Sequence, residues 1–281
     1  MRRLNGWGAF LFLGALFATQ FAGAQVVETT ARQLPKGSLK LLTYYQGTQD
    51  QTLNFTLAGT GGCTTTNGLG FSCNRTGDTE LEGNGGMGVL KLVYQPWESF
   101  QYYATFGVGE YSVSVPSTTA RGTLSGSNPG ISYGAGLKAV IWPDTEVTPG
   151  IAIDASLTQS RYTFNRNYPG TQTLADRINQ SLELWQYQVA FSASKLFTIV
   201  EGEKIERFKS GIKLEPYGGL KFTRIQAKLK DKQDGSTAGG KQDTISPFLG
   251  LRIPVYQNEG FFAEASFVNG YQYGAGLEIR F

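Results

Sequence analysis

The stretch YQYGAGLEIRF, which occupies residues 271–281, alternates between two kinds of side chain. One set is aromatic or aliphatic and ends on Phe281, whereas the other set is small or polar and includes Gly274 and Glu278. Successive side chains of a β-strand point to opposite faces, so a period of two is typical of a strand with different surroundings on its two faces. The stretch therefore predicts a strand with one apolar face.

The same alternation recurs along most of the chain. In residues 131–142, for example, Ile131, Tyr133 and Leu137 alternate with small or polar residues. Segments rich in Gly, Pro, Asn, Asp and Ser separate the alternating stretches and are typical of turns. Together these features predict ten strands, at residues 38–47, 82–95, 98–113, 131–142, 146–163, 182–197, 211–230, 243–256, 260–268 and 271–281.

Short and long connections alternate between these strands. Residues 143–145 and 257–259 form short connections, whereas the connection after residue 47 is long. Thr198–Ser210 and Asn269–Gly270 depart from the rule, and either residues 48–60 or Thr198–Ser210 could contain a further strand. The sequence thus predicts an all-β, single antiparallel up-and-down barrel of about ten strands, with eight or twelve also possible. Because residues 48–58 alternate too, they could extend the first hairpin.

The two faces of the predicted strands suit a barrel in a membrane. In hydrocarbon, backbone N–H and C=O groups must bond to one another, so strands cross a membrane only as a closed ring. The apolar face would then meet lipid and the polar face would line the lumen. A soluble barrel would turn the same faces the other way, and the composition, 13% aromatic and 17% charged, does not separate these alternatives.

The carboxyl terminus favours the membrane alternative. Residues 271–281 resemble the last strand of bacterial outer-membrane β-barrel proteins, including porin-like barrels, in which a Gly, alternating apolar residues and a terminal Phe form an assembly signal. Gly276, Ile279 and Phe281 match this pattern, whereas Gly274 stands where the family usually has a polar residue. The resemblance implies a transmembrane barrel in the bacterial outer membrane, surrounded by outer-membrane lipid, with the barrel-insertion machinery as a transient partner. By default we expect a monomer.

The amino terminus predicts an export signal. Arg2-Arg3 precedes an apolar core at residues 7–21, and the small residues 22–24 form a cleavage site. We therefore expect residues 1–24 to be a cleaved signal peptide and residues 25–281 to form one outer-membrane β-barrel domain.

Cys63 and Cys73 lie in a segment rich in Gly, Thr and Asn. Disulfides form readily in exported proteins, so these cysteines predict a disulfide that closes a small loop and contributes roughly 2–3 kcal/mol of stability. Two isolated thiolates without further ligands are poor zinc ligands, which makes a metal site the weaker alternative.

Charged residues on the polar faces predict a lumen of mixed sign. Facing lipid, each Lys or Arg near the midplane would cost about 2–4 kcal/mol. A ring of about ten strands leaves a narrow or blocked lumen. The residues expected to point inward are Lys91, Lys138, Asp154, Lys213, Glu215, Arg252, Glu264, Glu278 and Arg280, together with Lys40 and Lys221.

The residue types argue against catalysis. The chain contains no His, the residue that enzymes of the resembled family use as a base. Ser192 and Lys195 fall on opposite faces of their predicted strand and so do not form a nucleophile–base pair. We therefore predict a protein that is not an enzyme and has no cofactor or metal. Loss of Arg2 and Arg3 with the signal peptide lowers the formal net charge from +3 to about +1, and this near-neutral balance gives no support to nucleic-acid binding.

Three functions stay open at this point. The first is a non-catalytic outer-membrane barrel whose long external loops have a structural role in the envelope or a surface-interaction role. The second is a small pore for ions or small solutes. The third is a secreted soluble barrel that binds a lipid. The mixed sign of the predicted lumen favours the first over a selective pore, since selective pores usually show one dominant sign.

Overall fold

The computed structural model describes residues 28, 30–56, 78–115, 122–126, 128–169, 176–200, 212–232, 235, 237–255, 258–267 and 269–281. The described part of the chain contains no helix that is long and apolar enough to span a membrane. Its regular structure consists of β1 (Leu39–Thr56), β2 (Asp78–Trp97), β3 (Phe100–Val115), β4 (Gly122–Ser125), β5 (Gly130–Trp142), β6 (Gly150–Pro169), β7 (Asp176–Ser194), β8 (Phe197–Val200), β9 (Ile212–Asp231), β10 (Thr237–Pro254), β11 (Glu259–Phe267) and β12 (Tyr271–Arg280).

Ten of these strands form a closed antiparallel ring. The order around the ring is β1-β2-β3-β5-β6-β7-β9-β10-β11-β12, and β12 pairs with β1 from Lys40↔Arg280 to Gln49↔Tyr271. Closure leaves no free sheet edge, so the strands satisfy one another's backbone hydrogen bonds all round. The predicted antiparallel barrel of ten strands is confirmed.

The two ends of the ring differ in their connections. The short-turn end carries the two-residue β2–β3 turn, residues 143–149 and residues 255–258, together with Leu39 and Phe281. The long-connection end carries residues 57–77, which lie outside the described residues. Several strands extend further toward this end than predicted: β1 runs on to Thr56, as the alternation in residues 48–58 suggested, and β2 begins at Asp78.

Toward the long-connection end the ring narrows from ten strands to eight. β5 begins at Gly130, and beyond that point β4 takes its place by pairing with β3 at Val113↔Leu124 and with β6 at Leu124↔Asn167. The sequence did not predict β4, because a strand of four residues is too short to show a period.

The last hairpin causes this narrowing, because β11 and β12 end there, whereas the exchange of β5 for β4 leaves the number of strands unchanged. β11 and β12 are joined by a tight turn in which Asn269 and Gly270 both have positive φ, with Gly270 at 88°. Beyond the turn β10 pairs directly with β1, at Gly240↔Phe55 and Gly239↔Thr56. The eight strands at this end are therefore β1, β2, β3, β4, β6, β7, β9 and β10.

One strand lies off the ring. β8 pairs only with β9, at Phe197↔Leu214, near the short-turn end. It falls at the start of the Thr198–Ser210 connection, in which the sequence had allowed a further strand.

The bulky apolar side chains of the ring point outward. Ile151 and Phe191 are each 45% exposed, whereas Asp154 and Arg252, on the opposite faces of their strands, are buried. A soluble barrel would bury Ile151 and Phe191 and expose Asp154 and Arg252, so the alternative of a soluble barrel is wrong for this fold. The exposed apolar band is the surface that a barrel turns toward lipid.

The polarity of the faces reverses along several strands. On β9, the apolar residues Leu220 and Phe222 are exposed on the outer face. Further along the same strand the apolar residues Ala227 and Leu229 are buried on the inner face, and Lys228 between them is exposed. The reversal marks the point where the outer surface leaves hydrocarbon and the strands continue into water. There the inner faces of the narrowed ring pack as an ordinary apolar core.

Candidate functional site

The lumen near the short-turn end is filled by the chain's own amino-terminal residues. We call residue 28 with residues 30–38 the N-terminal segment. Its backbone is held by side chains of the barrel wall: Leu34 N donates to Gln95 Oε1 at 2.7 Å, and Ala31 N donates to Ser194 Oγ at 3.1 Å. The side chain of Ala31 packs against Val140 and Ala152 inside the ring. Backbone and side-chain contacts together fix the segment within the lumen.

Glu28 is the most deeply placed charged residue of this segment. Its Oε1 accepts a hydrogen bond from Lys40 Nζ at 2.8 Å and another from Thr30 Oγ1 at 2.9 Å, while its backbone N donates to Glu264 Oε2 at 3.1 Å. Lys91 Nζ lies 3.5 Å from its carbonyl oxygen. Burial opposes ionisation, but the surrounding ammonium groups outweigh it and hold the pKa of the Glu28 carboxyl well below its ordinary value.

The segment completes the charge balance of the lumen. The charged residues that are buried within the described part of the chain comprise five cations and five carboxylates, one of which is Glu28. Without Glu28 the buried wall residues would comprise one cation more than carboxylates, so Glu28 balances the buried charges, while the half-buried Arg32 of the same segment lies 3.8 Å from Glu215. The ten residues are Lys40, Lys91, Lys138, Lys221, Arg252, Glu28, Asp154, Glu215, Glu264 and Glu278.

Arg252 organises the wall charges at the short-turn end. Its Nε donates to Glu278 Oε1 at 2.6 Å, and its Nη1 donates to Glu215 Oε2 at 2.8 Å. Glu278 also pairs with Lys40 Nζ at 3.3 Å, which links this group to Glu28. Buried charges are tolerable only when they are paired and hydrogen-bonded, and this network meets that condition.

A second group of charges lies deeper in the lumen. Lys221 pairs with Glu264, and Tyr103 donates its hydroxyl hydrogen to Asp154. Lys138 Nζ donates to the carbonyl oxygen of Thr30 at 3.0 Å, so this wall lysine also holds the N-terminal segment.

The structure brings together most of the charged residues that the sequence placed in the lumen. Nine of them are buried inside the ring: Lys40, Lys91, Lys138, Asp154, Glu215, Lys221, Arg252, Glu264 and Glu278. Lys213 and Arg280 are instead half-buried at the short-turn end, where Arg280 Nη2 donates to Asn258 Oδ1 at 3.1 Å and β9 next to Lys213 pairs with β8.

Sequence reasoning missed the N-terminal segment altogether. Two signals point toward it. Residues 25–37 remain unassigned between the predicted cleavage site and the first predicted strand, and the charged residues expected to point inward comprise seven cations but only four carboxylates.

An apolar layer fills the lumen at the long-connection end. We call it the apolar cap; it consists of inward side chains of the eight-stranded part of the ring. Tyr111 and Tyr162 stack at its base, with ring centroids 4.9 Å apart, and Tyr111 donates to Gln51 Oε1 at 3.1 Å. An eight-stranded ring is just wide enough for side chains to fill it. The cap residues are Leu53, Leu81, Tyr111, Val113, Leu124, Tyr162, Phe164, Leu182, Leu184, Ile225, Ala227 and Leu229.

The residues of the predicted assembly signal lie at the closing seam. Gly276 is on β12 opposite Tyr44 of β1, and Ile279 and Phe281 are exposed on the outer face near the short-turn end. Their role as an assembly signal stays a prediction. Cys63 and Cys73 lie outside the described residues, as do residues 1–24, so the disulfide and the signal peptide also stay predictions.

The two reactive groups that the sequence offered, Ser192 and Lys195, lie in different surroundings. Lys195 pairs with Asp144 at 3.3 Å and bonds to the carbonyl oxygen of Thr145, which ties it to the turn after β5. Ser192 lies buried on the inner face of β7. Among the residues that the structure describes, no three His, Cys, Asp or Glu side chains cluster in a way that could hold a metal ion.

A closed ring with an outward apolar band and a polar, filled interior defines an outer-membrane β-barrel. No protein-family model matches the chain, and no curated protein sequence matches it. Among solved structures, it is similar to the translocator domain of the autotransporter NalP from Neisseria meningitidis, with 13% identity over 88% of this chain and 90% of that one and a TM-score of 0.45.

Two other similar structures come from Escherichia coli. The outer membrane protease OmpT is 11% identical over 92% of this chain and 99% of its own, with a TM-score of 0.46. The transport unit of the autotransporter AIDA-I is 11% identical over 98% of this chain and 97% of its own, with a TM-score of 0.40. All three are outer-membrane proteins, but their activities differ and none is transferred to this chain.

Proposed function

We propose that the protein is a non-catalytic, non-conducting outer-membrane barrel that serves the cell envelope as a structural or surface-interaction element. The observation that carries this proposal is that the lumen is filled at two separate levels. The N-terminal segment occupies the short-turn end, and the apolar cap occupies the long-connection end. In the arrangement general to such barrels, these ends face the periplasm and the exterior respectively.

Each level opposes ion passage for a different physical reason. At the short-turn end the charged groups are already paired with one another, so an entering ion would have to break pairs such as Glu28–Lys40. At the other end an ion would have to shed water among side chains such as Leu53 and Phe164, which offer no polar replacement. Hydrophobic constrictions of this kind exclude ions even without complete steric closure.

The interior also argues against an active site. A general base needs a group that is free to take a proton from a substrate, and the chain has no His. The buried carboxylates Glu215 and Glu278 are bonded to Arg252. The proposed role therefore rests on the long connections, which the rigid barrel presents outside the membrane.

Conductance of the refolded protein in planar bilayers tests the proposal. The full chain is expected to give no unitary current steps. Deletion of residues 28–35 alone and the cap variant Leu53→Ser/Phe164→Ser alone should also stay silent, because the other level remains closed. Only the combination is expected to conduct.

A heat-modifiable shift on a gel provides the control that each variant has closed its barrel. Steady unitary steps from the full chain would overturn the proposal and favour the pore. Steps from the deletion alone would show that the apolar cap does not seal the lumen.

A further inference from the structure

The outer surface of the barrel carries a groove across β5, β6, β7 and β9, with a volume of about 1190 Å³. Small residues on the outer faces of β5 and β6 form its floor, and larger apolar side chains form its walls. The floor includes Ala135 and Ala155, and the walls include Leu137, Leu157, Tyr187 and Phe222. The groove therefore lies within the lipid-facing band and offers an open apolar surface depression.

A group of cations lies at the long-connection end of this groove. Arg224 lines the groove and is one outward position beyond Phe222 on β9, about 7 Å along the strand. Lys228 and Lys230 follow on the exposed face of β9, Lys241 lies on the adjacent strand β10, and Arg161 lies on β6, beyond β7. We call these five residues the cationic rim.

The rim carries more positive charge than its carboxylates neutralise. Arg224 pairs with Asp243 at 2.6 Å, and Arg161 pairs with Glu183 at 3.4 Å. Lys228 and Lys230 are exposed, and within the described residues neither makes an ion pair. Two carboxylates thus face five cations, so the rim attracts anions.

On the opposite side of the barrel, the residues that the structure describes form no such rim. The outward residue near the long-connection end of β3 is Glu110, and β11 and β12 end on Phe267 and Tyr271. The positive charge is therefore localised above the groove, and a general need for solubility at this end does not explain it.

We propose that the groove and the cationic rim form a docking site for a lipid with a phosphate-bearing headgroup in the leaflet on the long-connection side. An acyl chain would lie in the groove, and the phosphate would sit against Lys228 and Lys230, beside Arg224, whose Nε and Nη2 already donate to the two oxygens of Asp243. Cations near a membrane surface attract anionic headgroups. The apolar groove selects a lipid over a soluble phosphate, because only a lipid supplies a chain to fill it.

Trp185 gives a direct readout of this site. It lies half-buried on β7 opposite Gln226, which lines the groove, and its Nε1 donates to Glu183 Oε1 at 3.2 Å. Replacement of Trp97 and Trp142, which lie at the short-turn end, leaves Trp185 as the reporter in the barrel.

The test titrates the refolded Trp97→Phe/Trp142→Phe protein in detergent with bis-phosphorylated lipid A, with its dephosphorylated form and with inorganic phosphate. Only the phosphorylated lipid is expected to give a saturable change in Trp185 emission at low concentration. Lys228→Gln/Lys230→Gln should weaken its binding by about 30-fold, since each cation near an anionic headgroup contributes about fivefold. Ala155→Phe, which fills the groove without removing charge or adding a second tryptophan, should weaken it as well.

The matched control is Lys36→Gln/Lys213→Gln, which removes the same charge at the short-turn end and should leave binding unchanged. Equal binding of the dephosphorylated lipid would overturn the proposal, as would binding that is insensitive to Lys228→Gln/Lys230→Gln. Competition by inorganic phosphate at similar concentrations would show a free-anion site and would overturn it too. The heat-modifiable shift confirms that each variant is folded.

Discussion

Replacing Glu28 with Gln tests whether charge holds the N-terminal segment in the lumen. The amide keeps the size of the side chain and an oxygen that accepts a hydrogen bond from Thr30, but it removes the charge that faces Lys40 at 2.8 Å. Five buried cations would then face four carboxylates. Breaking a buried ion pair costs about 3–5 kcal/mol. Because the hydrogen bonds partly survive, we expect the lower value, about 3 kcal/mol, or roughly a hundredfold loss in docking of the segment.

Chemical labelling of a cysteine measures the loss in docking of the N-terminal segment without unfolding the barrel. Leu34→Cys places a thiol on the buried part of the segment, in a background in which Cys63 and Cys73 are replaced by Ser. A charged maleimide that reacts only with the undocked segment should label the Glu28→Gln variant about a hundred times faster. Glu98→Gln, an exposed carboxylate in the turn between β2 and β3, is the matched control.

Unchanged labelling of the Glu28→Gln variant would refute the electrostatic account and leave packing as the cause of docking. An equal increase in the Glu98→Gln control would show that any loss of negative charge at this end has the same effect. The heat-modifiable shift should be the same in all these proteins, because the segment is not part of the ring.

Three further outcomes follow from the structure. Because the pKa of docked Glu28 is held below its ordinary 4.5, the undocked segment takes up a proton first, so the labelling rate at Leu34→Cys, divided by that of a fully exposed thiol at the same pH, should be constant above about pH 4.5 and rise as the pH falls below it. Gly276→Val should abolish the heat-modifiable shift, because a Cβ there would collide with Thr43 O and Tyr44 across the β1–β12 seam, whereas Gly239→Val, in open space, should retain it. Phe164→Ala should lower the free energy of unfolding in urea by about 3–5 kcal/mol, since it empties a fully buried site in the apolar cap.

Much of the ring could be predicted because its information is local. The alternation of Tyr271, Leu277 and Phe281 with small or polar residues depends only on neighbours in sequence, and it gave both the strands and the outward apolar face. The same reasoning gave a lumen that contains Asp154 and Arg252, since a residue's face follows from its position in the strand.

The segment and its partners could not be predicted in this way. Glu28 bonds to Glu264 across 236 residues of sequence, and a single acidic residue before the first strand carries no period. The apolar cap was missed for a different reason. The large residues were all assigned to the outer face, although the shift from Phe222 to Ala227 and Leu229 changes their parity and was visible in the sequence. That shift predicts where the hydrocarbon layer ends on the side of the long connections.

The direct pairing of β10 with β1 beyond the last hairpin has a consequence for assembly. β11 and β12 lie between β10 and β1, and these two flanking strands already pair with each other beyond the hairpin, at Gly240↔Phe55. The carboxyl-terminal hairpin therefore separates β10 from β1 along only part of their length. If this hairpin did not insert, β10 and β1 could extend their direct pairing toward the short-turn end. The chain could thus form a narrower eight-stranded barrel, and insertion of the last hairpin determines whether the lumen is wide enough to contain the N-terminal segment.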